Sequence, residues 1–134
     1  MILVDTNVLL DLLTADPTWS DWSEQQLEAA RLRGSIGINE VVYAELSVRA
    51  ERMEDVDAAL QGLEIDVLAT PRAALFMAGK VFARYRERGG ARTGVLPDFF
   101  IGAHAAIAEL RLLTRDVSRY RTYFPTVHLL APSD

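Results

Sequence analysis

The sequence predicts an α/β protein, a parallel sheet of about five strands covered by helices on both faces in three α/β/α layers. Short apolar runs alternate with stretches of helical periodicity along the whole chain, which is how strands joined by crossover helices read. The runs lack the every-second-residue alternation of a half-solvated sheet, so their strands are buried on both sides. The first run, Ile2-Leu3-Val4, stops at a carboxylate, Asp5, and open parallel sheets bind ligands beyond the carboxyl ends of their strands.

After that first strand, Asn7 is placed to cap a helix carrying Val8, Leu9, Leu12 and Leu13. Pro17 interrupts, and Trp19, Trp22, Leu27 and Ala30 recur at helical spacing until Gly34 ends the second helix. Ser35 to Ile38 is the second strand, and Asn39 caps a helix through Val41, Val42, Glu45 and Leu46. A further helix covers about Glu54 to Leu63, and Ile65 to Leu68 is the third strand. Thr70-Pro71 reads as a cap and first-turn pair, because proline's missing N–H costs nothing in a first turn. It opens a long helix that runs to Gly89. A loop, Gly90 to Pro97, leads to a helix starting near Asp98. Arg111 to Thr114 is the fourth strand, Asp116 starts a short helix ended by Pro125, and Thr126 to Leu130 is the fifth strand. No internal repeat or linker breaks the series, and 134 residues suit one domain, 1–134.

Composition narrows the chemistry. The chain has no cysteine, which removes disulfides, thiolate nucleophiles and Cys-based zinc sites together. Its two histidines, His104 and His128, are too few and too scattered for a His-rich metal site. The N-terminus has no basic region and meets Asp5 at once, unlike a signal peptide. The longest apolar run, Phe99 to Ala108, is far short of a membrane span. The expected compartment is the cytoplasm, with no membrane partner. The net charge of −5 conceals an asymmetry: residues 1–70 carry 14 acids and 4 bases, whereas residues 71–134 carry 5 acids and 10 bases. That division suits a basic surface facing phosphate and an acidic one facing something else, although solvated helix faces of opposite sign account for it equally well.

Asp5 follows the first strand, Asp116 lies just past the fourth, Asp98 stands where a helix begins, and Glu45 lies on the helix after the second strand. One acid after a strand is commonly a helix cap. Four converging on one rim repel each other, and no lysine lies nearby in sequence to offset them. A hard divalent cation, Mg²⁺ or Mn²⁺, takes carboxylate oxygens and water and needs neither Cys nor His. Other acids fit less well. Glu109, eleven residues after Asp98, lies about 16 Å along the same helix face. Glu40 lies off the face of Glu45, and Asp11 and Asp16 read as solvated or loop acids. His104 reads as a buried, hydrogen-bonded side chain, and Trp19 and Trp22 as core. Arg92, in a glycine-bracketed loop, and Arg115 are candidate substrate-binding residues, since a guanidinium can grip phosphate bidentately. Arg111, Arg115, Arg119 and Arg121 form either a patch that tracks an RNA backbone or a solvated face. The loop from Gly89 to Gly94 mimics P-loop glycines, but Val95-Leu96 stand where Lys-Ser/Thr must be, which rejects nucleotide binding there.

In this order the motifs resemble the PIN-domain family. The chain shows Ile-Leu-Val-Asp5-Thr6-Asn7, then Val-Val-Tyr-Ala-Glu45-Leu, then Leu-Pro-Asp98-Phe-Phe-Ile-Gly-Ala-His-Ala, and closes with Leu-Leu-Thr114-Arg115-Asp116. Each fragment is weak alone, but the ordered set is strong. In size the chain looks like VapC-type toxins and the related FitB-like proteins. The resemblance implies strand order 3-2-1-4-5, homodimerisation, and Mg²⁺- or Mn²⁺-dependent endonucleolytic cleavage of RNA. It also implies a toxin that arrests translation and growth until a cognate antitoxin neutralises it, with operator DNA reached only through that antitoxin. Carried over by position, Asp5, Glu45, Asp98 and Asp116 are the catalytic acids, with Asp5, Asp98 and Asp116 as metal ligands. Thr6, Asn7 and Thr114 support them.

Competing readings make different demands. Haloacid-dehalogenase-type phosphotransfer needs a second Asp two residues after the first, where Asn7 stands. Receiver domains need an acid pair before the phosphorylated Asp and a late Lys, and neither is present. A PIN subunit with little or no catalysis in a DNA-binding autorepressor complex, as in FitB-like proteins, is compatible with every motif. A cleavage assay separates it from the toxin.

Overall fold

The computed structural model describes residues 1–91 and 95–133. Five strands, β1 (Ile2–Val4), β2 (Ile36–Asn39), β3 (Ile65–Leu68), β4 (Arg111–Leu113) and β5 (Leu129–Leu130), form one sheet. Its order is β3-β2-β1-β4-β5, the order the resemblance implied, and every pairing is parallel. Seven helices connect them: α1 (Thr6–Leu13), α2 (Ser20–Arg33), α3 (Glu40–Ser47), α4 (Met53–Gly62), α5 (Arg72–Glu87), α6 (Leu96–Ala108) and α7 (Ser118–Tyr123). Right-handed crossovers put the helices before β3 on one face of the sheet and those after it on the other. Within these layers α1 meets α2 and α3, and α6 meets α5 and α7, while α3 also meets α6. No described helix is long and apolar enough to cross a membrane.

The central strands are apolar on both faces because both faces are covered. Leu3, Val4, Ile38, Leu112 and Leu113 are all buried. A second cluster lies under α5, α6 and α7, where Phe99 packs edge-on or tilted against Phe82, Tyr85, Tyr123 and Phe124 at centroid distances of 5.2–6.2 Å. Gly102 lets α6 lie against α7, since a Cβ there would come within 2.4 Å of the Phe124 ring. Close packing of these two helices matters for function because each delivers a polar side chain to the sheet's rim.

Several local expectations change. Asp5, not Asn7, is the N-cap of α1, its Oδ1 accepting from the Thr6 N–H at 2.7 Å. The chain turns into the helix directly off β1, which leaves Asn7 free to reach other partners. Thr70 does not cap α5; Pro71 holds that position, and the Thr70 hydroxyl donates to Glu40 at 2.5 Å. Helix α6 begins at Leu96, which places Asp98 within its first turn rather than at its start. Asp116 precedes α7 by two residues, and β5 shrinks to Leu129–Leu130 because only Leu112 and Leu113 of β4 have partners there. Asn39 caps α3 as expected, accepting from the Val42 N–H at 3.1 Å.

Candidate active site at the carboxyl rim of the sheet

Because every strand is parallel, all carboxyl ends share one rim, and β1 and β4 open it at the centre of the sheet. Asp5 leaves β1 and is buried. Its Oδ2 accepts from the Thr114 hydroxyl at 2.8 Å, the Tyr120 hydroxyl at 2.9 Å and the Asn7 amide at 3.3 Å. Thr114 follows β4 and is also buried; its hydroxyl oxygen accepts from the Asp116 N–H at 3.1 Å. Asn7 spans the same gap, its Oδ1 accepting from the Arg115 N–H at 3.3 Å. On the other side, the Thr6 hydroxyl donates to Glu45 of α3 at 2.7 Å. Thr6, Asn7 and Thr114 thus tie Asp5 to Glu45 and to the loop that carries Asp116.

Asp98 enters from the first turn of α6, where the helix dipole favours an acid. Arg119 of α7 pairs with it. The next residue on α7, Tyr120, is the buried donor to Asp5. Two consecutive residues of a six-residue helix thus engage the two most central acids. No lysine lies near the acids in sequence, but an arginine 21 residues downstream of Asp98 partly offsets them.

The electrostatics mark the four acids as one group. Burial, then the charge of Asp98, lifts the Asp5 carboxyl from 3.8 to about 7, against hydrogen bonds from Thr114, Tyr120 and the Thr6 amide that favour its ionised form. Burial raises Glu45 as well, with Thr6 opposing and Asp98 adding to the rise. Asp98 is raised by burial in spite of Arg119, and Asp116 contributes to the rise. Tyr120 is pushed well above its ordinary range by burial and by the charges of Asp5, Asp98 and Glu45, so its hydroxyl stays a donor.

The donor set fits a hard divalent cation in kind: oxygen ligands only, an excess of negative charge, and a buried acid whose ionisation its neighbour opposes. As the side chains stand, no three Asp, Glu, His or Cys residues among those described are grouped closely enough to hold one ion together. Arg119 sits on Oδ2 of Asp98, and three donors sit on Oδ2 of Asp5.

The arginine expectations divide. Arg115 does not face the rim with a free guanidinium. Its Nε and terminal nitrogen bind Asp11 at 2.8 and 3.0 Å, and its guanidinium lies 5.5 Å from the centroid of Trp19. Asp11, expected to be a solvated acid, is instead buried and accepts a third bond from Ser23 at 2.9 Å. Arg92 lies outside the described residues. With Arg115 and Arg119 paired internally, the four-arginine surface patch loses two members. Glu40 and Glu109 are exposed, and Glu40 accepts from Thr70 rather than from a residue of the site. His104 is buried as expected, its Nδ1 at 3.3 Å from the Asn39 amide, and burial lowers its pKa. Trp19 and Trp22 are half-buried and meet edge-on. Tyr120 was missed altogether, because its partner Asp5 lies 115 residues away in sequence.

Comparison with known proteins places this geometry. The sequence matches the PIN domain family over residues 2–125. A search of curated proteins gives no match. Among solved structures, VapBC2 from Rickettsia felis, bound to a promoter DNA fragment, is similar with a TM-score of 0.74 at 19% identity, covering 99% of this chain and 100% of that one. A toxin–antitoxin complex from Klebsiella pneumoniae gives 0.70 at 21% identity over 100% and 99%. FitAcB from Neisseria gonorrhoeae gives 0.66 at 20% identity over 97% and 96%. At these identities the likeness is one of fold, and it spans each partner end to end. With the family match over nearly the whole sequence, the 3-2-1-4-5 sheet and its rim of acids make this chain a member of the PIN-domain family.

Proposed function

We propose that the protein is the toxin of a type II toxin–antitoxin pair, a divalent-metal-dependent endoribonuclease held inactive by a cognate antitoxin. The observation that carries the reading is the convergence of Asp5, Glu45, Asp98 and Asp116 from four separate elements onto one rim, electrostatically coupled through Asp98. Such coupling is costly to the fold and has no structural role that a single cap would not serve.

Asp5, Asp98 and Asp116 would hold Mg²⁺ or Mn²⁺, with Glu45 beside them. A bound ion of this kind supplies Lewis acidity, making water acidic enough to attack phosphorus at neutral pH and offsetting charge on the leaving oxygen. The chain's own groups set that chemistry up. Thr114 and Tyr120 donate to Asp5 and favour its ionised form, against burial. Thr6 orients Glu45, and the Thr114 hydroxyl fixes the backbone at Asp116. Tyr120 and Thr114, both buried, also close the inner side of the site to solvent.

The antitoxin surface lies on the acidic half. Helices α1, α3 and α4 bound an apolar groove lined by Leu9, Leu13, Leu46, Val56 and Leu60. An amphipathic helix with basic flanking residues would bury its apolar face there and meet the acids of residues 40–63. A homodimer that contacts operator DNA only through the antitoxin completes the reading.

The test is cleavage of RNA by the purified full chain. Activity should vanish in EDTA and return with Mg²⁺ or Mn²⁺, and full activity in chelator would end the metal reading. A second reading, a PIN subunit with little catalysis in a DNA-binding autorepressor complex, draws support from the DNA-bound relative from Rickettsia felis. It requires no cleavage under any metal condition while promoter binding with the partner persists.

A further inference from the structure

Two arginines stand four positions apart around α7, and each is paired with a carboxylate, but the pairs differ in what metal loading would do to them. Arg115 binds Asp11, which is buried, is not one of the four site acids, and is held by Ser23 as well. None of the four site acids pairs with that guanidinium. Arg119 binds Asp98, one of the acids proposed to take the ion. Among the described residues, it is the cation in contact with any of the four acids. Were an ion to take Asp98, Arg119 would lose its partner while its backbone stayed put, because the neighbouring Tyr120 is buried and bonded to Asp5. The side chain pair is part-exposed, at 25% and 31% for Arg119 and Asp98, so the released guanidinium opens toward solvent at the mouth of the site.

We infer that Arg119 is a further catalytic residue, a guanidinium held on Asp98 that transfers to a non-bridging oxygen of the RNA phosphate when a divalent ion takes that carboxylate. A guanidinium bonds oxygens of carboxylates and phosphates alike, so the exchange would replace one charge-assisted contact with another. The incoming phosphate adds negative charge to a rim that already carries four acids, and Arg119 is positioned to offset it there. The same contact makes Arg119 a competitor of the metal before substrate arrives. No bond to Arg119 is made or broken covalently.

This inference rests on the metal-dependent ribonuclease reading, and the experiment separates the two. Mn²⁺ binding is titrated by electron paramagnetic resonance on the full chain for wild type, Arg119→Gln, Arg119→Lys and Asp98→Asn, and RNA cleavage is measured at saturating Mn²⁺. Arg119→Gln should bind Mn²⁺ about two- to fivefold more tightly, as loss of a part-exposed competing ion pair implies. It should nevertheless cleave RNA at least about tenfold more slowly. Arg119→Lys keeps the charge without the fork, so its Mn²⁺ affinity should stay near wild type while cleavage falls part of the way. A structural role would weaken both readouts together. Unchanged or weaker Mn²⁺ binding by Arg119→Gln, or cleavage at the wild-type rate, overturns the role of Arg119. If Arg119→Gln does not fold, wild-type cleavage by Arg119→Lys overturns it. Wild type that binds no Mn²⁺, or binds it no better than Asp98→Asn, sinks the metal reading and the inference with it.

Discussion

The pairs Asp11–Arg115 and Asp98–Arg119 use the same two chemical groups within a few residues of each other, yet they sit in different surroundings. Asp11 is 2% exposed and meets its arginine through two nitrogens, with Trp19 over the guanidinium. Asp98 is 31% exposed and sits among three other acids that act on its charge or feel it. Arg115 is 30% exposed, but its carboxylate partner is buried with both oxygens used, which fixes α1 to the β4–α7 connection. A part-exposed pair in a crowd of like charges is poised to exchange partners. Burial and neighbours, more than residue identity, decide which acid works and which acid holds.

The largest expected effect tests the working side. Asp98→Asn should lower RNA cleavage about a thousandfold at any Mg²⁺ or Mn²⁺ concentration, whereas Asp11→Asn should keep measurable cleavage wherever the protein remains folded. Comparable loss in both would erase the distinction. The next effect is on pH. The folded Asp5 carboxyl, at about 7, lies above its ordinary 3.8. Its contribution to stability is therefore fully present below about pH 4 and is lost as pH rises through 7. The loss is about 4 kcal/mol across that window. Chemical denaturation of wild type and Asp5→Asn in EDTA should show the difference, with the variant flatter between pH 5 and 8. Parallel profiles would contradict it.

A smaller effect tests the holding side. Arg115→Ala leaves Asp11 buried without its cation and should cost about 2 kcal/mol of stability, measured by urea unfolding. Arg119→Gln should cost about 1 kcal/mol or less, because its pair is part-exposed. Equal costs would place both pairs in one class. The smallest effect concerns the partner. If the acidic half receives an antitoxin bearing arginines, raising salt from 0.05 to 0.5 M should slow association about tenfold by stopped flow. A salt-independent rate, or contacts mapped wholly to the arginine-rich half, would move the interface.

Sequence reading went furthest where physics is local. The unalternating runs and their order marked the sheet, since burial on both faces leaves no other pattern. Asn39 was legible as a cap because its partner, Val42, is three residues away. The four acids became candidates through strand ends, helix starts and an ordered set of motifs, and Thr6, Asn7 and Thr114 came only with the resemblance. What escaped depends on long loops of chain. Asp11 meets Arg115 across 104 residues, Asp98 meets Arg119 across 21, and Tyr120 meets Asp5 across 115. An acid's exposure is set by what packs over it, so Asp11 read as solvated until Ser23 and Trp19 were in place. The helix caps went astray for a related reason: Asp5 and Asn7 are both good caps, and the abrupt exit from β1 decided between them.

Paired melting curves with and without Mn²⁺, for wild type and Asp98→Asn, test the claim that the rim is a metal-binding active site most directly. The substitution removes one charge at nearly constant shape. In EDTA it relieves repulsion on Asp5 and Glu45 but loses the ion pair with Arg119, so the variant should melt within a few degrees of wild type. With Mn²⁺, wild type should rise as ligand binding to the folded state requires, and Asp98→Asn should rise little. A variant that melts far below wild type in EDTA and keeps the full response to Mn²⁺ would show Asp98 to be a structural residue of α6, and the rim would have to be read without it.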